Sequence, residues 1–226
     1  MDPLYFLVLI MFGLALVAQG KVKSTYNKYA QVAASRGLTA ERAVAIVLNH
    51  YDIHDVDIQH IGGDLTDNFN PKTKIISLSD AVYGSSSIAA IGVACHEAGH
   101  AVQHATGYAP IKLRNSIVPV CNIGSTLAIP IAILGVILQS YNLVYVGIIL
   151  YSFIALFQLI TLPVELDASR RALKVIEDER LLEEDERVGA KKVLTAAAMT
   201  YVVALATALV NLLRFASIFL GGRNRR

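Results

Sequence analysis

The residues best suited to chemistry lie at positions 94–104, which contain the motif His-Glu-x-x-His. Residues four apart share one face of an α-helix, so His96 and His100 can offer two imidazoles to one metal ion. Zn²⁺ takes nitrogen ligands in tetrahedral geometry and lowers the pKa of its bound water to about 7. Glu97 lies beside the histidines and can take a proton from that water as it attacks a peptide carbonyl. The motif predicts one zinc ion per chain, with His96 and His100 as ligands and Glu97 as general base.

The same residues also suit a structural helix that carries two solvated or packed histidines. The flanks favour a buried helix, because the serines at 85–87 can cap its start and small or apolar side chains surround the motif. Gly107 is expected to end it, and Pro110 follows. Cys95 adjoins the motif, but the two cysteines of the chain form no CxxC pair, so we interpret Cys95 as a small packed residue.

The composition indicates a membrane protein, because 54% of the 226 residues are hydrophobic and only 17% are charged. A soluble domain carries about 25% charged residues. The apolar excess falls in four runs, at residues 4–18, 117–138, 143–162 and 193–213. A signal peptide is the competing interpretation of the first run, but positive charges follow it instead of preceding it. The net charge of +2 is dispersed among acidic residues, which excludes a nucleic-acid footprint and leaves the lipid bilayer as the expected partner.

These patterns predict a mainly α membrane protein with about four transmembrane helices. Residues 1–20 form the first of them, and residues 21–116 form a polar region with a small β-hairpin and the motif helix on one membrane face. Residues 117–163 form a transmembrane helical hairpin. Residues 164–226 contain a further helix, a charged turn and the last apolar helix. Pro163 is expected to begin a new helix, because proline suits the first helical turn.

Two strands are expected in the polar region, at residues 55–61, where polar and apolar residues alternate, and at residues 72–79. The edge of this hairpin can pair with an extended peptide and hold it over the metal. His50, His54 and His60 lie in or near the first strand among three aspartates. They could form a second metal site, but we interpret them as a polar strand face.

Four segments together resemble the YugP-type family of bacterial, membrane-bound neutral zinc metallopeptidases. They lie at residues 63–67, 76–79, 96–103 and 162–172, and read GDLTD, ISLS, HEAGHAVQ and LPVELDASRRA. The resemblance covers nearly the whole chain. It implies a multi-pass protein of the bacterial plasma membrane, a zinc metallopeptidase that acts on a polypeptide substrate.

The chain is more loosely similar to membrane zinc proteases in which the glutamate of Glu-x-x-Ala-Asp is the third ligand. Glu165 keeps that glutamate, whereas Ser169 replaces the aspartate and leaves Asp167 as its nearest substitute. The similarity therefore implies Glu165 as the third zinc ligand. His104 continues the four-residue spacing of the motif, but it lies about 12 Å along the axis and about 80° around it from His96. Three such residues on one straight helix can hardly reach one ion.

The function predicted is that of a zinc metalloendopeptidase that hydrolyses peptide bonds in membrane or membrane-proximal proteins. An intramembrane zinc protease is one alternative, because residues 88–105 are apolar enough to lie in a bilayer. A zinc-stabilised membrane scaffold or regulator without turnover is the other. A scaffold needs the histidines but not Glu97, so the intact Glu97 favours the enzyme.

The distribution of basic residues predicts that the active site faces the cytoplasm, where loops carry an excess of Lys and Arg. The relevant residues are Lys21, Lys23, Lys28, Lys112, Arg114, Arg170, Arg171, Lys174, Lys191 and Lys192. The connection at residues 139–142 has no positive charge, as an external loop should. The basic tail at 223–226 conflicts with this assignment if the last apolar run crosses the membrane.

Overall fold

A computed structural model describes residues 3–221, with side chains from 4 to 218. Within these residues the chain forms six helices and three short strands. In chain order they are α1 Pro3–Ala30, α2 Ala40–His50, β1 Asp57–His60, β2 Asn68–Asn70, β3 Ile75–Leu78, α3 Ile88–Ala105, α4 Ala109–Ile137, α5 Tyr141–Asp178 and α6 Glu184–Gly221. The predicted fold class is confirmed. Residues 1–2 and 222–226, which include the basic tail at 223–226, lie outside the described part.

Helices α1, α4, α5 and α6 are each long and apolar enough to cross a membrane. One compact unit contains the first turns of α1, the segment Lys112–Pro163 and the part of α6 from Thr200 onward. Its α4 and α5 helices touch so closely that a Cβ on Gly147 would lie 2.7 Å from the Cβ of Ala132. Many large apolar side chains of this unit remain exposed, including Ile123, Ile137 and Ile149. Such a surface suits hydrocarbon rather than water.

Ring contacts within this apolar unit join α1 and α5 to α6. The Arg214 guanidinium lies 5.2 Å from the ring centroid of Tyr5, and the rings of Tyr151 and Phe215 stack at 5.0 Å. These contacts link α1 to α6 and α5 to α6 within the unit.

Beyond the first helical turns, three prolines lie inside the described helices, Pro119 and Pro130 in α4 and Pro163 in α5. The prediction that Pro163 begins a new helix is wrong, because α5 continues through it to Asp178. A proline costs its helix one hydrogen bond and a clash with the preceding turn. In an apolar surrounding, an interrupted helix would leave further backbone groups unsatisfied, so the helix persists.

The other compact unit consists of Ala18–Ile111 and Val164–Met199. Its core joins α2, α3, the sheet and the polar halves of α5 and α6 through buried side chains that include Val44, Val47, Ile76, Leu78, Ile91, Val102, Val175 and Ile176. The Ser87 side chain accepts a hydrogen bond from the Ala90 N–H at 3.2 Å, which caps α3. Gly107 follows the helix with φ 67°. The predicted start and end of the motif helix are confirmed.

The sheet has the strand order β1-β3-β2. A hairpin does precede the motif helix, but it consists of β2 and β3, which pair antiparallel with Phe69 opposite Ile76. The expected pairing of the first strand with the second as a hairpin is wrong, because β1 runs parallel to β3. Parallel strands cannot be joined by a tight turn, and here the link between them includes β2. The three residues of β2 are too few to show alternation, so the sequence pattern missed this edge strand.

Candidate metal site on helices α3 and α5

Helices α3 and α5 are in close backbone contact at Gly99 and Ala168. A Cβ built on Gly99 would lie 2.6 Å from the carbonyl oxygen of Ala168, closer than real atoms allow. The absence of a side chain at Gly99 therefore permits contact between the two backbones. The two histidines of the motif flank Gly99 along α3. This contact brings the polar side chains of the two helices together.

Three donor atoms converge beside this contact. Glu165 Oε2 lies 3.3 Å from His96 Nε2 and 3.5 Å from His100 Nε2. Donor atoms of the three residues all lie within 4.8 Å of one another, and no other such group of three or more His, Cys, Asp or Glu occurs among residues 3–221. Donors in a tetrahedral zinc site with bonds of about 2.0–2.1 Å are about 3.3–3.4 Å apart. The donor set and its spacing therefore fit a zinc ion.

Burial and neighbouring negative charges have opposite effects on the pKa of His100. Burial alone lowers the pKa of the imidazole, but the hydrogen bond to Glu165 and the negative charges of Glu97 and Glu165 raise it overall. The effect of Glu97 means that its carboxylate lies near the donor group. Glu97 is itself buried, with 8% of its surface exposed. A general base for a metal-bound water needs this proximity.

The remaining ring nitrogens of the two histidines also have partners. The Ser169 hydroxyl lies 3.1 Å from His96 Nδ1, and the Gln103 side-chain oxygen lies 3.1 Å from His100 Nδ1. Ser169 thus contacts the first histidine of the motif itself, at the position where the related motif has aspartate. Asp167, the suggested substitute, instead accepts hydrogen bonds from Gln103 and two arginines.

Gln103 was not singled out from the sequence. It lies three residues after His100, on the same face of the helix, and it is completely buried. A glutamine at this spacing from a candidate ligand is a usable sequence signal when the surrounding helix is apolar.

The other histidines lie apart from the donor group. His104 is exposed, and its ring centroid lies 6.0 Å from that of Phe69 in β2. His50, His54 and His60 each pair with one carboxylate, at 2.6, 2.7 and 2.7 Å, from Glu179, Asp52 and Asp80 respectively. Since the described residues contain no second group of metal ligands, these pairs favour the polar-face interpretation.

Cys95 is completely buried in α3. Burial raises the pKa of its thiol to about 12, so the thiolate that would react or bind metal is suppressed. The interpretation of Cys95 as a packed residue is confirmed.

The fold and site define a multi-pass membrane protein with a two-histidine, one-glutamate group on α3 and α5. The chain belongs to the family described as "Putative neutral zinc metallopeptidase", whose profile matches residues 4–220. It is 45% identical over 219 residues to the "Putative membrane protease YugP" of Bacillus subtilis (strain 168), with 97% of each chain covered. No solved structure gives a significant match. The family expected from the sequence resemblance is confirmed.

Proposed function

We propose that this protein is a zinc endopeptidase that hydrolyses peptide bonds in membrane or membrane-proximal proteins. The observation that carries the proposal is the convergence of His96, His100 and Glu165 at zinc-like spacing. The buried carboxylate of Glu97 nearby supports catalysis over a purely structural ion. The family description and the printed name of the relative support a peptidase at a coarser level.

In this proposal His96, His100 and Glu165 would hold one zinc ion, which would lower the pKa of a water molecule and polarise the substrate carbonyl. Glu97 would accept the proton of that water and return it to the leaving amine. The low exposure of Glu97 strengthens its interaction with nearby charges, because screening by solvent is weak there.

We assign substrate binding to the edge strand β2. It lies at one edge of the sheet and packs against α3, where Phe69 contacts His104 one turn after the second motif histidine. An extended peptide can pair with such an edge through main-chain hydrogen bonds. The proposed substrate is therefore a segment that is extended or can become so.

The position of α3 supports a peptidase site outside the bilayer over an intramembrane site. Four described helices have the length and apolarity to cross a membrane, and α3 is not one of them. It packs instead against α2 and the small sheet. The edges of a sheet carry backbone N–H and C=O groups without hydrogen-bond partners, and hydrocarbon cannot supply them. A helix packed against such a sheet is therefore expected at an aqueous face of the membrane.

We further propose that the site faces the cytoplasm. The polar unit and the start of α4 carry the basic residues that the positive-inside rule places in the cytoplasm. The connection between α4 and α5 has no basic residue. A topology reporter inserted at residues 180–186 should report the cytoplasm. The same reporter inserted between Gln139 and Ser140 should report the outside. An external signal from the first insertion would refute the assignment.

The Glu97→Gln variant tests the catalytic proposal. It should keep wild-type zinc content and lose activity by about 10²- to 10⁴-fold, because the general base is removed while the ligands remain. Cleavage is measured on quenched fluorescent peptides and on new N-termini in membranes of cells with wild-type or variant protein. Glu183→Gln, on an exposed turn, is the matched control.

Two results would contradict the proposal. Full activity in Glu97→Gln shows that this carboxylate is not the base, and full activity after removal of the metal shows that zinc is not needed. A scaffold gives a third pattern, in which wild-type protein binds zinc but cleaves nothing and Glu97→Gln behaves as wild type.

A further inference from the structure

Gln103 connects the second metal histidine to helix α5. Its side-chain oxygen lies 3.1 Å from His100 Nδ1. Its side-chain nitrogen donates to the carbonyl oxygen of Val164 at 2.7 Å and to Asp167 Oδ2 at 3.0 Å. The residue is completely buried, so each of these polar contacts replaces a contact with water.

The partners of this amide determine its orientation. A backbone carbonyl and a carboxylate accept hydrogen bonds and cannot donate them. The nitrogen of Gln103 must therefore face Val164 and Asp167, and its oxygen must face His100. Because an amide oxygen only accepts, His100 Nδ1 must carry a proton. The unprotonated nitrogen required for metal binding is then Nε2, the atom that lies beside Glu165.

Asp167 holds the amide in this orientation. Its side chain is only 5% exposed and accepts hydrogen bonds from Arg170 and Arg171, the latter at 2.6 Å. Arginine remains protonated in proteins, so it donates and balances the charge of the buried carboxylate. The hydrogen bonds from Arg171 to Asp167, from Gln103 to Asp167 and from His100 to Gln103 therefore form one consistent network.

His96 has no comparable constraint. Its Nδ1 lies 3.1 Å from the Ser169 hydroxyl, which can donate or accept a hydrogen bond. This contact is compatible with a proton on either ring nitrogen of His96. The two metal histidines thus differ in how firmly their ring protons are placed.

We propose that Gln103 is a positioning residue that keeps Nδ1 of His100 protonated and presents its Nε2 to the metal, with Asp167 and Arg171 holding Gln103 in place. This inference rests on the zinc site of the proposed function. Hydrogen-bonding partners of metal-bound histidines typically contribute about 10- to 100-fold to metal affinity.

Gln103→Met tests this role, because methionine keeps the length of the side chain and removes both its donor and its acceptor. Zinc dissociation constants are measured by chelator competition on the detergent-solubilised full chain. We expect zinc binding about 10- to 100-fold weaker than in the wild type. Gln59→Met is the matched control, since Gln59 lies in β1 and its side chain donates to the Ser77 hydroxyl instead of to a neighbour of the donor group. Wild-type affinity in Gln103→Met would overturn the proposal.

A second measurement separates this role from general loosening of the fold. NMR of histidine side chains labelled with the heavy nitrogen isotope shows which ring nitrogen carries the proton in metal-free protein at alkaline pH. We expect a protonated Nδ1 of His100 in the wild type, and a proton moved to Nε2, toward Glu165, in Gln103→Met. The same protonation in both proteins would overturn the proposal, whatever happens to zinc affinity.

The metal-free measurement also distinguishes this inference from the proposed function. If the wild-type chain binds no zinc, the peptidase proposal fails, while the proton on His100 still reports on Gln103. If Gln103→Met does not fold, Asp167→Asn serves as the second variant. It should weaken zinc binding several-fold, because Gln103 loses its charged acceptor, and an unchanged affinity would again overturn the proposal.

Discussion

Replacement of Gly99 by alanine tests how strictly the metal donors depend on the contact between α3 and α5. The added Cβ would lie 2.6 Å from the carbonyl oxygen of Ala168. Ordinary carbon–oxygen contacts of this kind are about 3.3–3.6 Å long. The helices must therefore separate by at least about 0.7 Å at this point, since the obstacle is backbone and cannot rotate away.

A shift of this size matters because metal–ligand distances tolerate only about ±0.2 Å. Glu165 moves with α5, whereas His96 and His100 move with α3, so at least one donor leaves bonding distance. We expect zinc affinity to fall by more than about 100-fold, a loss larger than that from a missing hydrogen-bond partner. Overpacking should also cost about 1–3 kcal/mol of stability, offset in part by the roughly 1 kcal/mol that alanine gains over glycine in a helix.

The matched control is Gly92→Ala in the same helix, where the added Cβ would lie 3.4 Å from the Cβ of Ala190, an ordinary contact. Chelator competition measures zinc affinity, and thermal unfolding in detergent measures stability. Gly92→Ala should retain wild-type zinc affinity. Wild-type zinc affinity in Gly99→Ala would refute the argument that this contact positions the donors.

Two further predictions concern the surroundings of the donors. Glu165→Ala should lower the zinc content of purified protein sharply, and His104→Ala should leave it near wild type; the reverse ranking would make His104 the third ligand. Arg171→Leu should cost about 3 kcal/mol of stability, because it removes a partner of the buried Asp167. Arg170→Leu should cost less than about 1 kcal/mol, because its side chain is 77% exposed, and equal losses in unfolding assays would contradict this ranking.

The sequence reveals His96 and His100 because the helix repeat that aligns them is local. Glu165 lies far along the chain, and it is predicted from the resemblance to known membrane proteases and from its position after a membrane hairpin that can return the chain to the motif helix. Gly99 and Gln103 stand within the motif helix, yet their roles depend on which helix lies opposite. No spacing within α3 specifies that neighbour.

For the fold too, features that depend on local sequence could be predicted, and features that depend on distant contacts could not. Lipid demands long apolar helices, so the four membrane-crossing candidates are visible in the sequence. The pairing in the sheet is not, because a strand as short as β2 leaves no period to read. The continuity of α5 through Pro163 depends on its surroundings and could not be read from the proline alone.

The short length of β2 also bears on how the proposed peptidase would select its substrates. A strand of three residues offers only a few main-chain hydrogen bonds, each with a net contribution of about 0.5–1.5 kcal/mol. A free peptide held by these bonds alone would bind no more tightly than about the millimolar range. Confinement of the enzyme and an anchored segment to one bilayer gives that segment a high effective concentration, so weak pairing suffices. Membrane anchorage would then replace a recognition sequence in the choice of substrate, and soluble peptides would be cleaved only at concentrations of about millimolar.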